Sequence, residues 1–392
     1  MRRRALPASS KATAVLGLCV FALFVVARVR TDEHVWTQAL WFVPVLWWLS
    51  AMWLLWGVSA LTGWLARRPW GAVARSALLL ACAGASVFVL IGVWRVHRAV
   101  TPGAPRDPDA IRVVHWNIAA AFMDTDRAGR ALADLDADLV VLANARRDGQ
   151  RAALLNALGG ARTLTIGSAG VASRIPITRA ASVWVGTRDA GGPSTRETGS
   201  RGWVAVLELA PEGRGAPIVV WVVDLPSEPT RPKPAIVRET IAAVGGRSGS
   251  SRHATGDGGW DWRRDGRPYA PPDLIIGDFN IPRASASLEG FDALRDGGYA
   301  DAFAAAGWGR ARSWVPTHPD PLVRALLALG GWHIDLALAA RVHDIRGYAL
   351  EPIGGTAHRV QVVDVALEAD PGSDSEVDSG SDSGVGSGQS VP

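Results

Sequence analysis

Lysine and cysteine are the scarce residues in this chain. Of 41 basic residues only Lys11 and Lys233 are lysine, so the positive charge is carried by arginine. The net charge of +4 is modest, and no Lys-rich patch marks a nucleic-acid surface, which needs concentrated positive charge against phosphate. The two cysteines, Cys19 and Cys82, both lie in apolar stretches. They cannot staple a soluble domain, and their spacing fits no zinc motif. Charge itself is missing from one long stretch: residues 35–65 contain none.

Apolar residues make up 48% of the chain, and the excess is concentrated near the N-terminus. Three runs there read as membrane-spanning helices, at about 12–27, 37–65 and 76–94 within a membrane region 1–100, because about 20 apolar residues span a bilayer. The first run could also be a signal-peptide core, but Arg28 and Arg30 follow it where small residues would mark cleavage. Seven tryptophans between Trp36 and Trp64 suit membrane interfaces and helix–helix packing, and Pro44 predicts a bend in the second span. Basic residues flanking the spans number seven on the side of Arg2, Arg3, Arg4, Lys11, Arg67, Arg68 and Arg75, against five on the side of Arg28, Arg30, Arg95, Arg98 and Arg106. That bias places the N-terminus in the cytoplasm and whatever follows the third span outside it.

After a Pro-rich linker at 101–110 the pattern changes to short Val-, Ile- and Leu-rich runs bounded by Gly, Pro, Asp or Asn. Strands are expected at 111–118, 139–142, 203–209, 218–225, 274–277, 334–339 and 360–367, with helices near 127–135, 149–158, 234–244 and 285–295. The mixture predicts one layered α/β domain over 111–369. Residues 245–272 read as a surface insertion. The tail 370–392 is Ser, Gly and Asp, too polar to offset its ordering entropy.

Residues 274–280 have the clearest local chemistry. A hydrophobic strand delivers Asp278 and Asn280, two positions apart and so on one face, to its C-terminal end. A carboxylate and an amide there can address a hard cation or a phosphate. Taken singly, Gly277-Asp278-Phe279-Asn280 is also a strand running into an Asx turn, and His358 is also an ordinary buried or surface histidine.

The order of several such segments resembles the endonuclease/exonuclease/phosphatase family, the DNase I-like fold. The segments are Trp116-Asn117-Ile118, Leu142-Ala143-Asn144, Gly170 to Pro176, Val223-Asp224-Leu225, Gly277-Asp278-Phe279-Asn280, Ile334-Asp335 with Leu338, and Ala357-His358-Arg359-Val360. Ser313-Trp314-Val315-Pro316 and Asp301-Ala302-Phe303 are similar too, and the resemblance spans about 111–367. It implies a four-layer α/β sandwich preceded by three transmembrane helices, as in a membrane-anchored bacterial branch. It also implies hydrolysis of a phosphoester with Mg²⁺ or Mn²⁺. Asp278 would align and deprotonate the attacking water, Asn280 and His358 would hold phosphate oxygens, and Asn117 would orient a carboxylate or bind phosphate. Asp335 would serve the metal or orient a neighbour. Asn117, Asn144, Asp224 and Asp335 are the metal-site candidates.

Three family positions are changed. The metal-binding glutamate corresponds to Asn144, the histidine of the T-H-L segment to Asp224, and the aspartate before the last histidine to Ala357. The last change is expected to leave His358 without an orienting carboxylate. Asp224 could replace the lost metal charge, as could Asp148. The resemblance therefore implies a membrane-bound phosphoesterase acting outside the cytoplasm, or else an impaired member that binds a phosphorylated ligand or a protein. Its substrate class stays open, with a lipid phosphoester suggested by location and nucleic acid not favoured.

Overall fold

The computed structural model describes residues 2–66, 71–100, 109–119, 124–145, 147–185, 202–214, 216–228, 230–245, 269–310, 312–316, 320, 322–323, 330–354 and 356–367. Most of the expected linker, most of the 245–272 insertion and the polar tail lie outside them.

The N-terminal third is a helix bundle of α1 (Arg2–Arg30), α2 (Val35–Trp41), α3 (Val45–Leu65) and α4 (Ala72–Phe88). Three stretches, Ser9–Arg30, Val45–Leu65 and Ala72–Val93, are long and apolar enough to cross a membrane. They pack through Ala14, Phe24, Trp48, Met52, Leu78 and Cys82, while Leu16, Leu54 and Leu80 face outward. A chain with so much outward apolar surface associates with a membrane. The expected second span differs from expectation. It is not one bent helix: the helix stops at Trp41 and restarts at Val45, with Pro44 as the cap of α3. Proline lacks an N–H, and its ring strikes the carbonyl four residues back, so it starts a helix better than it continues one.

The remaining elements are β1 (Ala110–Asn117), α5 (Thr125–Ala133), β2 (Leu139–Ala143), α6 (Asp148–Asn156), β3 (Arg162–Ile166), β4 (Ala169–Ser173), β5 (Ile177–Val185), β6 (Gly202–Leu209), β7 (Ile218–Asp224), α7 (Lys233–Val244), β8 (Leu274–Asp278), a 3₁₀ helix (Ala286–Leu294), β9 (Tyr299–Asp301), α8 (Ala302–Ala306), β10 (Asp335–Ala340), β11 (Asp344–Glu351) and β12 (Val360–Ala366). They build two six-stranded mixed sheets, ordered β11-β12-β1-β2-β4-β3 and β5-β6-β7-β8-β10-β9.

The sheets pack face to face on Val113, Val141, Leu207, Val222 and Ile276. Helices α5 and α6 cover the first sheet over Trp116, Leu132 and Leu154. Helix α7 and the 3₁₀ helix cover the second over Trp221, Ile236 and Phe291. The result is a four-layer α/β sandwich. Strands with both faces covered are apolar at every position, which explains why β2, β7 and β8 read as unbroken Val/Ile/Leu runs.

Each sheet has one parallel pair at its centre, β1 with β2 and β7 with β8. Gly277 stands opposite Val223 in the second pair, at φ 149°. A Cβ there would lie 2.0 Å from the Val223 carbonyl oxygen. Gly277→Ala is therefore expected to cost about 3 kcal/mol, seen as an earlier urea unfolding midpoint. An unchanged midpoint would show that the strands can part there without penalty.

The sandwich is docked on the bundle rather than hung from it. Asp32 accepts hydrogen bonds from the Ser287 N–H and hydroxyl, and Thr31 accepts one from the Ala286 N–H. Gln38 donates to the Arg231 carbonyl and accepts from the Lys233 N–H. Trp41 donates to Ser285, and Trp332 donates to the Phe42 carbonyl at 2.7 Å. On the far side of the joint Gly309 N–H meets the Trp94 carbonyl at 2.7 Å.

Candidate active site

The C-terminal ends of β1, β2, β7 and β8 meet at one edge of the sandwich. They bring Asn117, Asn144, Asp224 and Asp278 to a single place. Strand β10 runs antiparallel to β8, so its first residue, Asp335, pairs with Asp278. Asp224 pairs with Asp278 from the other side, across the parallel β7–β8 ladder. His358 stands two residues before β12, bridged to Trp314. Segments far apart in sequence thus converge because the two facing sheets deliver their strand ends to the same edge of the sandwich.

A chain of hydrogen bonds links these side chains. Asn117 Nδ2 donates to Asp278 Oδ2 at 2.8 Å, and Asn280 N–H donates to Asp278 Oδ1 at 3.0 Å. His358 Nε2 lies 3.9 Å from Asp278 Oδ2, while its Nδ1 faces both Asp335 oxygens at 3.2 and 3.0 Å. Ser313 Oγ accepts from the Asp335 N–H at 2.8 Å and fixes the start of β10. Thr356 Oγ1 holds the His358 backbone from both sides, at 2.8 and 2.9 Å.

This geometry corrects the expectation that His358 lacks a carboxylate because Ala357 replaces one. Its partner is Asp335, delivered from another strand. Asp148 is corrected too. It begins α6, its side chain is 88% exposed, and it pairs with Arg151. It does not turn toward the site.

Charge in the cluster is shared unevenly. Burial works against the His358 imidazolium, but Asp335, Asp278 and Asp224 outweigh it and lift its pKa to about 9. Asp335 is held below the usual carboxylate range: burial opposes ionisation, and the His358 cation and hydrogen bond overcome it. Asp278 goes the other way. Burial raises it well above the usual range, Asp335 adds to the rise, and His358 only partly offsets it. Burial likewise pushes Asp224 to about 6, against hydrogen bonds from Asn144 and Trp203.

Ligand atoms of Asp278, Asp335 and His358 lie within 4.8 Å of one another, a grouping that could hold a cation. Without an ion the neighbouring carboxylates favour the imidazolium, so a metal there would have to displace that proton. Both Asp335 oxygens are engaged by that cation as well. With no ion bound, the triad is an ion-pair relay.

The oxygen-rich corner on the other side of Asn117 suits a hard cation better. Asn144 Nδ2 donates to Asn117 Oδ1 at 3.2 Å and bonds Asp224. Asn117 Oδ1 also accepts from the Ala119 N–H at 2.9 Å, and Asp224 is the one buried carboxylate of this corner. Magnesium is commonly held by one or two carboxylates, substrate oxygens and water, so Asp224 with the Asn117 and Asn144 amide oxygens turned toward it would fit. Asn144 has φ 54°, in the left-handed region that asparagine tolerates better than glutamate. The backbone itself therefore favours the neutral residue here.

Asn280 also has a positive φ, 49°, and donates one amide hydrogen to the Leu225 carbonyl at 2.8 Å. The sequence assigns no role at the site to Trp203 or Thr356. Trp203 lies beside Asp224 in the β6–β7 register, a neighbour that only sheet pairing reveals.

No family profile matches the sequence, and no curated protein matches it. Solved structures do align with it. One from Bacteroides thetaiotaomicron is 12% identical over 66% of this chain and 98% of its own, with a TM-score of 0.43. Another, from Beutenbergia cavernae DSM 12333, is 18% identical over 67% of this chain and 72% of its own, with a TM-score of 0.42. Both are endonuclease/exonuclease/phosphatase proteins. A mannosyl-6-phosphatase from Bacteroides thetaiotaomicron VPI-5482 aligns at 12% identity over 65% of this chain and 99% of its own, with a TM-score of 0.44.

Proposed function

We propose that this chain is a membrane-anchored, divalent-metal-dependent phosphoester hydrolase of the endonuclease/exonuclease/phosphatase family, acting on the outer face of the membrane. The observation that carries the reading is the buried relay Asn117–Asp278–His358–Asp335, in which an amide, a base, a cation and its counter-charge follow one another. The excess of basic residues on the N-terminal side of the spans supports the outward placement.

In this reading the phosphate binds against His358 Nε2, whose proton is retained at neutral pH by Asp335. A charged donor beside the phosphoryl oxygens stabilises the charge that develops on them. Asp278, oriented by Asn117 and the Asn280 N–H, aligns the attacking water and accepts its proton. Asn117, Asn144 and Asp224 would hold Mg²⁺ or Mn²⁺, which supplies positive charge for the phosphate beside three carboxylates.

The loss of a family carboxylate at Asn144 favours a second reading, a silent member that only binds a phosphorylated ligand or a protein. Purified full-length protein separates the two. Turnover of bis-p-nitrophenyl phosphate that needs Mg²⁺ or Mn²⁺ is expected. Asp224→Asn should weaken Mg²⁺ binding in calorimetry by roughly tenfold to a hundredfold. Absence of both turnover and metal binding would leave the binding module.

A further inference from the structure

Lys233 is one of the two lysines of the chain, and it is fully buried. It opens α7, where the helix dipole disfavours a cation and where a lysine's long stem normally carries its charge to water. Here the stem turns inward. Its Nζ donates to the Glu228 carbonyl at 3.0 Å and to the Pro226 carbonyl at 3.5 Å, both in the loop after β7. The ring of Phe42, in the turn between α2 and α3, lies 5.6 Å from that nitrogen, within cation–π reach. Gln38 of α2 accepts from the Lys233 N–H at 3.2 Å and donates to the Arg231 carbonyl at 3.0 Å. Burial lowers the Lys233 pKa to about 8, against the attraction of Glu228, Asp32 and Asp278. Those carboxylates belong to the loop, to the end of the first span and to the site, so the ammonium stands among all three.

The loop that Lys233 holds is bonded to the site at its other end. The Leu225 N–H donates to the Asp278 carbonyl at 2.8 Å, and the Leu225 carbonyl accepts from Asn280 Nδ2 at 2.8 Å. The loop after β8 ends on the bundle as well, with Ser285 on Trp41 and Ser287 on Asp32. Trp332, three residues before Asp335, donates to the Phe42 carbonyl. The edge of the sandwich that bears the site is thus the edge seated on the helices.

We propose that Lys233 is a positioning residue: the membrane turn fixes it through Gln38 and Phe42, and it fixes the segment 225–228 that sets the places of Asp278 and Asn280. The inference rests on the hydrolase reading and makes the helix bundle a working part of the site as well as an anchor. Lys233 bonds only to backbone carbonyls of the loop, so its effect on the reaction passes through that loop. Asp278 aligns the water, whereas His358, which faces the phosphate, is held by Asp335 and Thr356 from other segments. A loosened loop should therefore slow the chemical step and leave substrate affinity as it was.

Full-length protein in nanodiscs, assayed with bis-p-nitrophenyl phosphate and Mg²⁺, tests it. Lys233→Met keeps the stem and removes the ammonium. It is expected to lower kcat by roughly tenfold to a hundredfold, the scale of a base displaced by about 1 Å, with KM unchanged. Phe42→Leu removes the ring and keeps the carbonyl that Trp332 uses. It should lower kcat by roughly threefold to tenfold. The double variant should be no slower than Lys233→Met alone, because Phe42 acts through the ammonium. Losses that multiply in the double variant would overturn the inference, as would wild-type kcat in both single variants, and either result leaves the hydrolase intact. Should Lys233→Met lower the thermal unfolding midpoint, Phe42→Leu decides alone: a reduced kcat at the wild-type midpoint supports the inference and an unchanged kcat overturns it. Silence of the wild-type protein would remove the hydrolase reading and the inference with it.

Discussion

Asp278→Asn is expected to lower turnover on the order of a thousandfold while leaving the fold as stable as before, or more so. The kinetic part follows from its place. Asp278 is the only carboxylate in the relay that Asn117 and the Asn280 N–H both orient and that is not already paired with His358 Nδ1. A positioned base contributes about a hundredfold to ten-thousandfold. The stability part follows from the sign of its pKa shift. Burial and Asp335 raise Asp278, so its ionised form is disfavoured in the fold, and stability falls as pH climbs above the unfolded carboxylate value of 3.8. Asparagine keeps the acceptor for Asn117 Nδ2, gives up the one for the Asn280 N–H, and removes the disfavoured charge, which offsets that lost bond. Steady-state kinetics beside thermal unfolding at pH 7 read both quantities. Loss of activity together with a collapsed unfolding midpoint would mean that Asp278 is structural.

Asp335→Asn should move the alkaline limb of the activity profile from about 9 down toward the ordinary histidine value of 6.5. His358 is useful to a phosphate as a cation, and Asp335 is the group that keeps it one. At pH 8 a histidine of pKa 6.5 is only about 3% protonated, so a loss of roughly thirtyfold is expected there, and far less at pH 6. The stability signature has the same direction. The folded pKa of His358 is above its unfolded value, so its contribution is fully present below 6.5 and is lost as pH rises through about 9. Asp335 is depressed, so its own contribution is present above 3.8 and is lost as pH falls below that. The wild-type protein should therefore gain most from the pair between about pH 4 and 6.5, and the variant should lose that gain. A pH–rate profile with an unmoved alkaline limb would show that Asp335 does not govern the proton on His358.

Much of the frame was legible before any coordinates. The apolar strands around Val140, Val222 and Ile276 stood out because both faces of each sheet are covered, which forces continuous hydrophobic runs. Strands β3 and β5 did not. They hold Arg162, Thr163, Arg179 and Ser182 among apolar residues, as edge strands with one neighbour can. The 285–295 stretch reads as helical and is a 3₁₀ helix, pinned at its start by Asp32 and Thr31 from the turn after α1. No local pattern announces a partner 255 residues away.

The site divides the same way. Asn117, Asp278, Asn280, Asp335 and His358 were readable, since each sits at the end of an apolar run or beside one, in a specific order. Their roles were not. That Ala357 costs His358 nothing depends on Asp335 arriving from β10 in the facing sheet, a side-chain contact between residues 23 apart that only the packing of the two sheets decides. That Asp224 stands beside Asp278 depends on the parallel register of β7 and β8. The sequence by itself determined three membrane-length helices, a layered α/β domain and the residue types of the candidate site, because hydropathy period and chain order are local properties. Tertiary structure alone decided which carboxylate serves the histidine, and that the edge bearing the site is the edge seated on the membrane helices, because both depend on contacts between residues that sequence distance keeps apart.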